Sequence, residues 1–107
     1  MSEIKVINSL EELDNAIDTN PNLIVQFSAT WCGPCKMVGL HINDTQEKLK
    51  DKVTIVKVDI SNNPEIAEKY GVRSIPAFAY IKDKSVIQQT TGVQTQKQMI
   101  DKVNQLF

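Results

Sequence analysis

Apolar and polar residues follow two rhythms along this chain, and the switches between them mark out a series of elements. Ile4 to Ile7 reads as a short strand. Ser9 opens a Ser-Leu-Glu-Glu capping pattern with Glu12 three residues on, and Leu10, Leu13, Ala16 and Ile17 follow at helical spacing until Asn20-Pro21. Leu23 to Ala29 is apolar except at Gln26 and Ser28, which suits a strand buried on both faces. The spacing predicts a helix from about Pro34 to Leu49 and a strand from Val53 to Asp59. Asn63-Pro64 opens another helix, which Gly71 closes as a left-handed cap.

Beyond Gly71 the pattern changes. Pro76 to Ile81 and Ser85 to Thr91 read as strands joined by polar Lys82-Asp83-Lys84, a hairpin lacking the usual Asn-Gly or Asp-Gly turn. Thr95 to Phe107 is a last helix, with Met99, Ile100, Val103, Leu106 and Phe107 on its apolar side. The order βαβαβαββα predicts a three-layer α/β domain, one mixed sheet with helices on both faces. At 107 residues, one domain over 1–107 is expected.

Composition narrows the function. A 41% hydrophobic and 23% charged content is that of an ordinary folded domain, and a net charge of −1 gives no field for nucleic acid or a membrane surface. The longest nearly unbroken apolar stretch, Ile75 to Ile81, is far short of the ~18 residues of a membrane span. Met1 to Leu10 shows no basic segment followed by an apolar run, so a cytoplasmic, reducing location is expected. A monomer is expected.

Against that plain background, Trp31-Cys32-Gly33-Pro34-Cys35 stands out. It holds both of the chain's cysteines, two residues apart, where a strand gives way to a helix. If Cys32 caps that helix, the Cys35 N–H can point at its sulfur, and the helix dipole adds positive potential there. Both favour the thiolate, the nucleophile of disulfide exchange. Cysteines three apart on a helical turn are near enough to pair, so Cys32 can attack a substrate disulfide and Cys35 can resolve the mixed disulfide. Gly33 removes bulk from the approach and Pro34 stiffens the turn. A structural disulfide is one alternative, although so short a loop removes little entropy from the unfolded chain. Zinc is another, but one cysteine pair and His41 make the usual four-ligand site only by bridging two chains. No metal site is therefore expected, and His41 reads as an ordinary helix residue.

The segment Phe27-Ser28-Ala29-Thr30-Trp31-Cys32-Gly33-Pro34-Cys35-Lys36-Met37 closely resembles the active-site stretch of thioredoxins. The likeness continues through Val56-Lys57-Val58-Asp59, Tyr70-Gly71-Val72-Arg73-Ser74-Ile75-Pro76 and Thr91-Gly92-Val93. The resemblance implies the thioredoxin fold, a central five-stranded mixed sheet flanked by four helices. It implies reduction of protein disulfides with no bound cofactor, electrons arriving from NADPH through a flavoprotein thioredoxin reductase. It also implies a cis bond at Ile75-Pro76, beside the cysteines. Pro76 has no N–H, which leaves the backbone of Ile75 to pair with an extended substrate. Trp31, Gly33, Pro34, Ile75, Gly92 and Val93 would then form a shallow apolar groove around Cys32.

Three positions depart from the family pattern. Gln26 stands where thioredoxins generally carry a buried aspartate, thought to help move the proton of the resolving thiol. A glutamine amide cannot take that proton, but it can orient a water or hold Lys57 near Cys35. Leu40 stands where proline commonly kinks the helix, and Gly39 before it permits a milder bend. The third departure is the Asp83-Lys84 turn.

Two rival functions share these features. One is a binding module whose groove docks a partner while redox turnover is incidental. The other is an oxidant or isomerase of a secretory compartment.

Overall fold

A computed structural model describes residues 3–107. Met1 and Ser2, which belong to the N-terminal stretch read above, lie outside the described residues. Five strands, β1 (Lys5–Ile7), β2 (Asn22–Ser28), β3 (Thr54–Asp59), β4 (Ala77–Lys82) and β5 (Ser85–Thr91), form one sheet in the order β1-β3-β2-β4-β5. β3 pairs parallel with β1 and β2, while β4 pairs antiparallel with β2 and β5. The helices are α1 (Leu10–Thr19), α2 (Gly33–Gly39), α3 (Ile42–Leu49), α4 (Pro64–Tyr70) and α5 (Gln96–Leu106).

Because successive strand residues face opposite sides, the central strands feed two cores. Leu23, Val25 and Phe27 of β2 join Val56, Val58, Ala77, Ala79 and Ile81 on one side, packed with Leu13 and Ala16 of α1 and Ile66 of α4. Ile24, Ile55, Phe78 and Tyr80 face the other side, against Val38, Ile42, Leu49, Met99 and Val103 of α2, α3 and α5. The three-layer α/β expectation thus matches the structure.

The helix count differs: among the described residues there are five helices, not four. The single helix expected from Pro34 to Leu49 is broken at Leu40-His41. Gly39 weakens the helix locally. The His41 N–H then bonds Val38 O at 3.1 Å, a tightened last turn. His41 itself leaves helical geometry (φ −122°, ψ −6°), and Leu40 is left 83% exposed.

Two local patterns also resolve differently from the expectation. Ser9 Oγ accepts the Glu12 N–H at 3.1 Å, but the Glu12 carboxylate reaches past the cap to the Asn8 N–H at 2.6 Å. The hairpin loop is two residues rather than three. Asp83 (φ 50°) and Lys84 (φ 72°) both sit in the left-handed region that a type I′ turn demands.

Candidate active site

β2 and β3 run parallel, so both end at the edge of the sheet where antiparallel β4 begins. Ser28 closes β2, and its carbonyl accepts the Ile60 N–H just beyond β3 at 2.9 Å. Immediately before β4 the Ile75–Pro76 bond is cis. At this edge Ala29, Cys32 and Cys35 form a small third core, with Ile60 and Ile75 packed against it.

Cys32 is the N-cap of α2, with extended backbone (φ −86°, ψ 110°) and Pro34 in the first turn. Its N–H is taken by Ala29 O at 3.1 Å, which fixes the entry of the chain. Its sulfur accepts the Cys35 N–H at 3.1 Å, the contact anticipated from the motif. The two cysteines are joined in a disulfide across a Cα–Cα distance of 5.3 Å. Ile75 O lies 3.9 Å from Cys32 Sγ.

Exposure is uneven around the pair. Cys32 and Cys35 are each only 4% exposed, whereas Trp31 is 69% exposed and Gly33 and Pro34 are open to solvent. The disulfide is therefore set low beside the exposed Trp31, Gly33 and Pro34 rather than projecting from the surface. Of the other residues expected in the groove, Ile75 and Gly92 are half-buried and Val93 is 44% exposed. Gly92 has φ 103°, a conformation that favours glycine, and its N–H bonds Pro76 O at 2.8 Å. The Gly92-Val93 turn is thereby tied to Pro76, next to the Ile75 carbonyl that lies near Cys32 Sγ.

Behind Cys35 lies a cavity of about 330 Å³ lined by Ser28, Ala29, Thr30, Cys35, Lys36, Gly39 and Lys57. Lys57 is the register partner of Gln26 across β2 and β3. Gln26 is 1% exposed and its Oε1 has no hydrogen-bond partner among the described residues. The expectation that the amide would hold Lys57 is not met. No hydrogen bond joins the two side chains, because neighbours in parallel strands project side by side rather than toward one another.

His41 is a correction to the sequence reading. It occupies the N-cap position of α3 rather than a helix interior, and both ring nitrogens are engaged, by Thr45 and by the backbone of Gln94. Among the described residues no group of three or more His, Cys, Asp or Glu is placed to hold a metal ion. The sequence reading also missed Gln46. Its buried amide donates to Val53 O at 3.0 Å and accepts the Ile55 N–H at 2.6 Å, bracing the start of β3.

The family profile described as Thioredoxin matches residues 4–105. The chain belongs to the thioredoxin family. It is 32% identical to the thioredoxin of Bacillus subtilis over 99 residues, 92% of this chain and 95% of that protein. It is 34% identical to the chloroplastic thioredoxin Y1 of Arabidopsis thaliana over 92% of its own length, and spans 56% of that longer protein. Among solved structures, the oxidized form of mitochondrial thioredoxin 3 from Saccharomyces cerevisiae superposes with a TM-score of 0.86 at 33% identity, covering 96% of this chain and 95% of that one. Thioredoxins are thiol–disulfide oxidoreductases, and this chain carries the paired cysteines at disulfide distance that such chemistry requires.

Proposed function

We propose that the protein is a general protein-disulfide reductase in which Cys32 attacks and Cys35 resolves. The observation that carries this assignment is the Cys35 N–H aimed at Cys32 Sγ from 3.1 Å. A backbone donor stabilises negative charge on the capping sulfur, so Cys32 ionises more readily. Its thiolate attacks one sulfur of a substrate disulfide. A new S–S bond forms while the substrate's own bond breaks, and the second substrate sulfur leaves as a thiolate that takes a proton. Cys35 then loses its proton and attacks Cys32 Sγ. The mixed disulfide breaks, the Cys32–Cys35 bond forms, and the substrate departs with two electrons as a dithiol.

Lys57 and Lys36 line the cavity behind Cys35 and supply positive charge as that thiol ionises. Gln26 stands in the place of the family's buried aspartate and cannot accept the proton. Water or the departing substrate thiolate takes it instead. Trp31, Gly33, Pro34, Ile75, Gly92 and Val93 form the substrate groove, with Pro76 beside the sulfurs. A shallow apolar surface of this kind suits many unrelated protein disulfides. Electrons return from NADPH through a thioredoxin reductase, and a reducing, cytoplasmic compartment suits that cycle.

The test combines dithiothreitol-driven insulin reduction with a redox equilibrium against glutathione. The wild type turns over, Cys32→Ser does not, and the measured potential lies below that of glutathione. A potential well above it would make the protein an oxidant instead.

A further inference from the structure

The chain's one histidine sits where the long helix breaks and ties that break to the opposite side of the groove. His41 Nε2 lies 2.9 Å from Gln94 O, and a carbonyl only accepts, so this nitrogen carries the proton and donates. His41 Nδ1 lies 2.9 Å from Thr45 Oγ1. The Thr45 hydroxyl has a single proton and two acceptors in reach, that nitrogen and His41 O, which also lies at 2.9 Å. Gln94 is gripped a second time, since the Tyr80 hydroxyl of β4 donates to its Oε1 at 2.5 Å.

These bonds bracket one exposed apolar residue. On one side of Val93, Gly92 is bonded to Pro76. On the other, Gln94 is fixed by His41 and Tyr80. The cap of α2 is Cys32, α2 ends at Gly39, and His41 follows two residues later. A continuous helix would carry residue 41 onward in the helical path. The break leaves it with non-helical backbone, its imidazole bonded to the loop.

We propose that His41 is a positioning residue that sets the mouth of the substrate groove by fixing Val93 relative to the cysteine-bearing helix. The inference rests on the groove reading above. A protein substrate meets a rim ordered in advance and loses less free energy to loop ordering on binding. A small disulfide that touches only the sulfur gains nothing from it. His41 contacts no reacting atom, so its effect falls on KM for protein substrates and not on the chemical step.

The experiment compares insulin with 5,5′-dithiobis(2-nitrobenzoate) as substrates of the wild type, His41→Leu, His41→Gln and Val93→Asp. His41→Leu keeps side-chain bulk and removes the bond to Gln94 O, whereas His41→Gln retains an N–H donor. His41→Leu is expected to raise KM for insulin about three- to tenfold, the worth of one lost hydrogen bond. Its kcat and its rate with the small disulfide should stay unchanged, and His41→Gln should recover much of the loss. Amide exchange at Val93 and Gln94 should quicken in His41→Leu without a matching change in β2 and β3. An unaltered KM, or an equal loss on both substrates that glutamine does not rescue, overturns the proposal. Should Val93→Asp raise KM while His41→Leu does not, only the role of His41 fails. Should neither variant alter it, the groove reading fails as well.

Discussion

Gln26 and Lys57 lie directly opposite one another in the parallel pairing of β2 and β3, yet no hydrogen bond joins their side chains. The amide is therefore a buried polar group with an unused acceptor, in a layer otherwise built from Ile24, Phe78 and Tyr80. Such a group costs stability, and a protein keeps it only where something other than packing is gained.

Replacing the amide separates stability from chemistry. Gln26→Leu keeps the volume and removes the unpartnered group, so unfolding free energy should rise by about 1 kcal/mol in urea titrations. A fall would show that the amide is satisfied in solution. Gln26→Asp should do the opposite, because a buried carboxylate has a raised pKa. Its folded form prefers the neutral acid, so the variant loses stability progressively as pH climbs above the ordinary carboxylate value. The same acid should speed the attack by Cys35 and bring a new pH dependence near neutrality. A resolution rate equal to wild type across about pH 6 to 8 would contradict the proton-transfer account.

The hairpin turn gives an independent test. Lys84 holds φ 72° without being glycine, and its salt bridge to Asp18, at 3.7 Å and well exposed, is worth little. Lys84→Gly should relieve the backbone strain and raise stability by roughly 0.5–1 kcal/mol. Thermal unfolding with no upward shift would argue against a type I′ turn here.

Tyr80 should report its burial by titration. Desolvation by burial pushes its hydroxyl up to about 12. Tyr70, the only other tyrosine, is raised as well, by burial and then by the nearby Asp14 carboxylate. A folded pKa above the unfolded value near 10 means this contribution is whole below that pH. It is lost as pH rises toward about 12, at roughly 1.4 kcal/mol per unit for Tyr80. Absorbance of the phenolate should show a late transition, absent in Tyr80→Phe. Ionisation of Tyr80 at the ordinary tyrosine value would contradict the buried placement.

What could be read from the residues alone follows from how local each cause is. The cysteine cap was legible because donor and acceptor are three residues apart, and a helical turn brings them together wherever it forms. The helix break was not. Cys35, Val38, Ile42, Gln46 and Leu49 keep helical spacing straight across it, so hydrophobic periodicity runs on unbroken. What accompanies the break is Gly39 and an imidazole bonded 53 residues away, and no local pattern contains a contact of that range. The turn was obscured for the opposite reason, since neither Asp83 nor Lys84 is the glycine that announces a left-handed conformation. Gln46 gave no signal because the strand backbone it serves comes later in the chain.

The division of labour between the two sulfurs is tested most directly by trapping the intermediate. Cys35→Ser removes the resolving thiol and leaves the cap geometry of Cys32 in place. Mixed with a disulfide-containing protein such as insulin, the reduced variant should accumulate a covalent adduct. Mass spectrometry should locate the bond at Cys32, and dithiothreitol should release it. Cys32→Ser should give no comparable adduct. A variant that forms no mixed disulfide through Cys32, or one in which Cys35 of the Cys32→Ser protein reacts as readily, would contradict the assignment of Cys32 as the attacking sulfur.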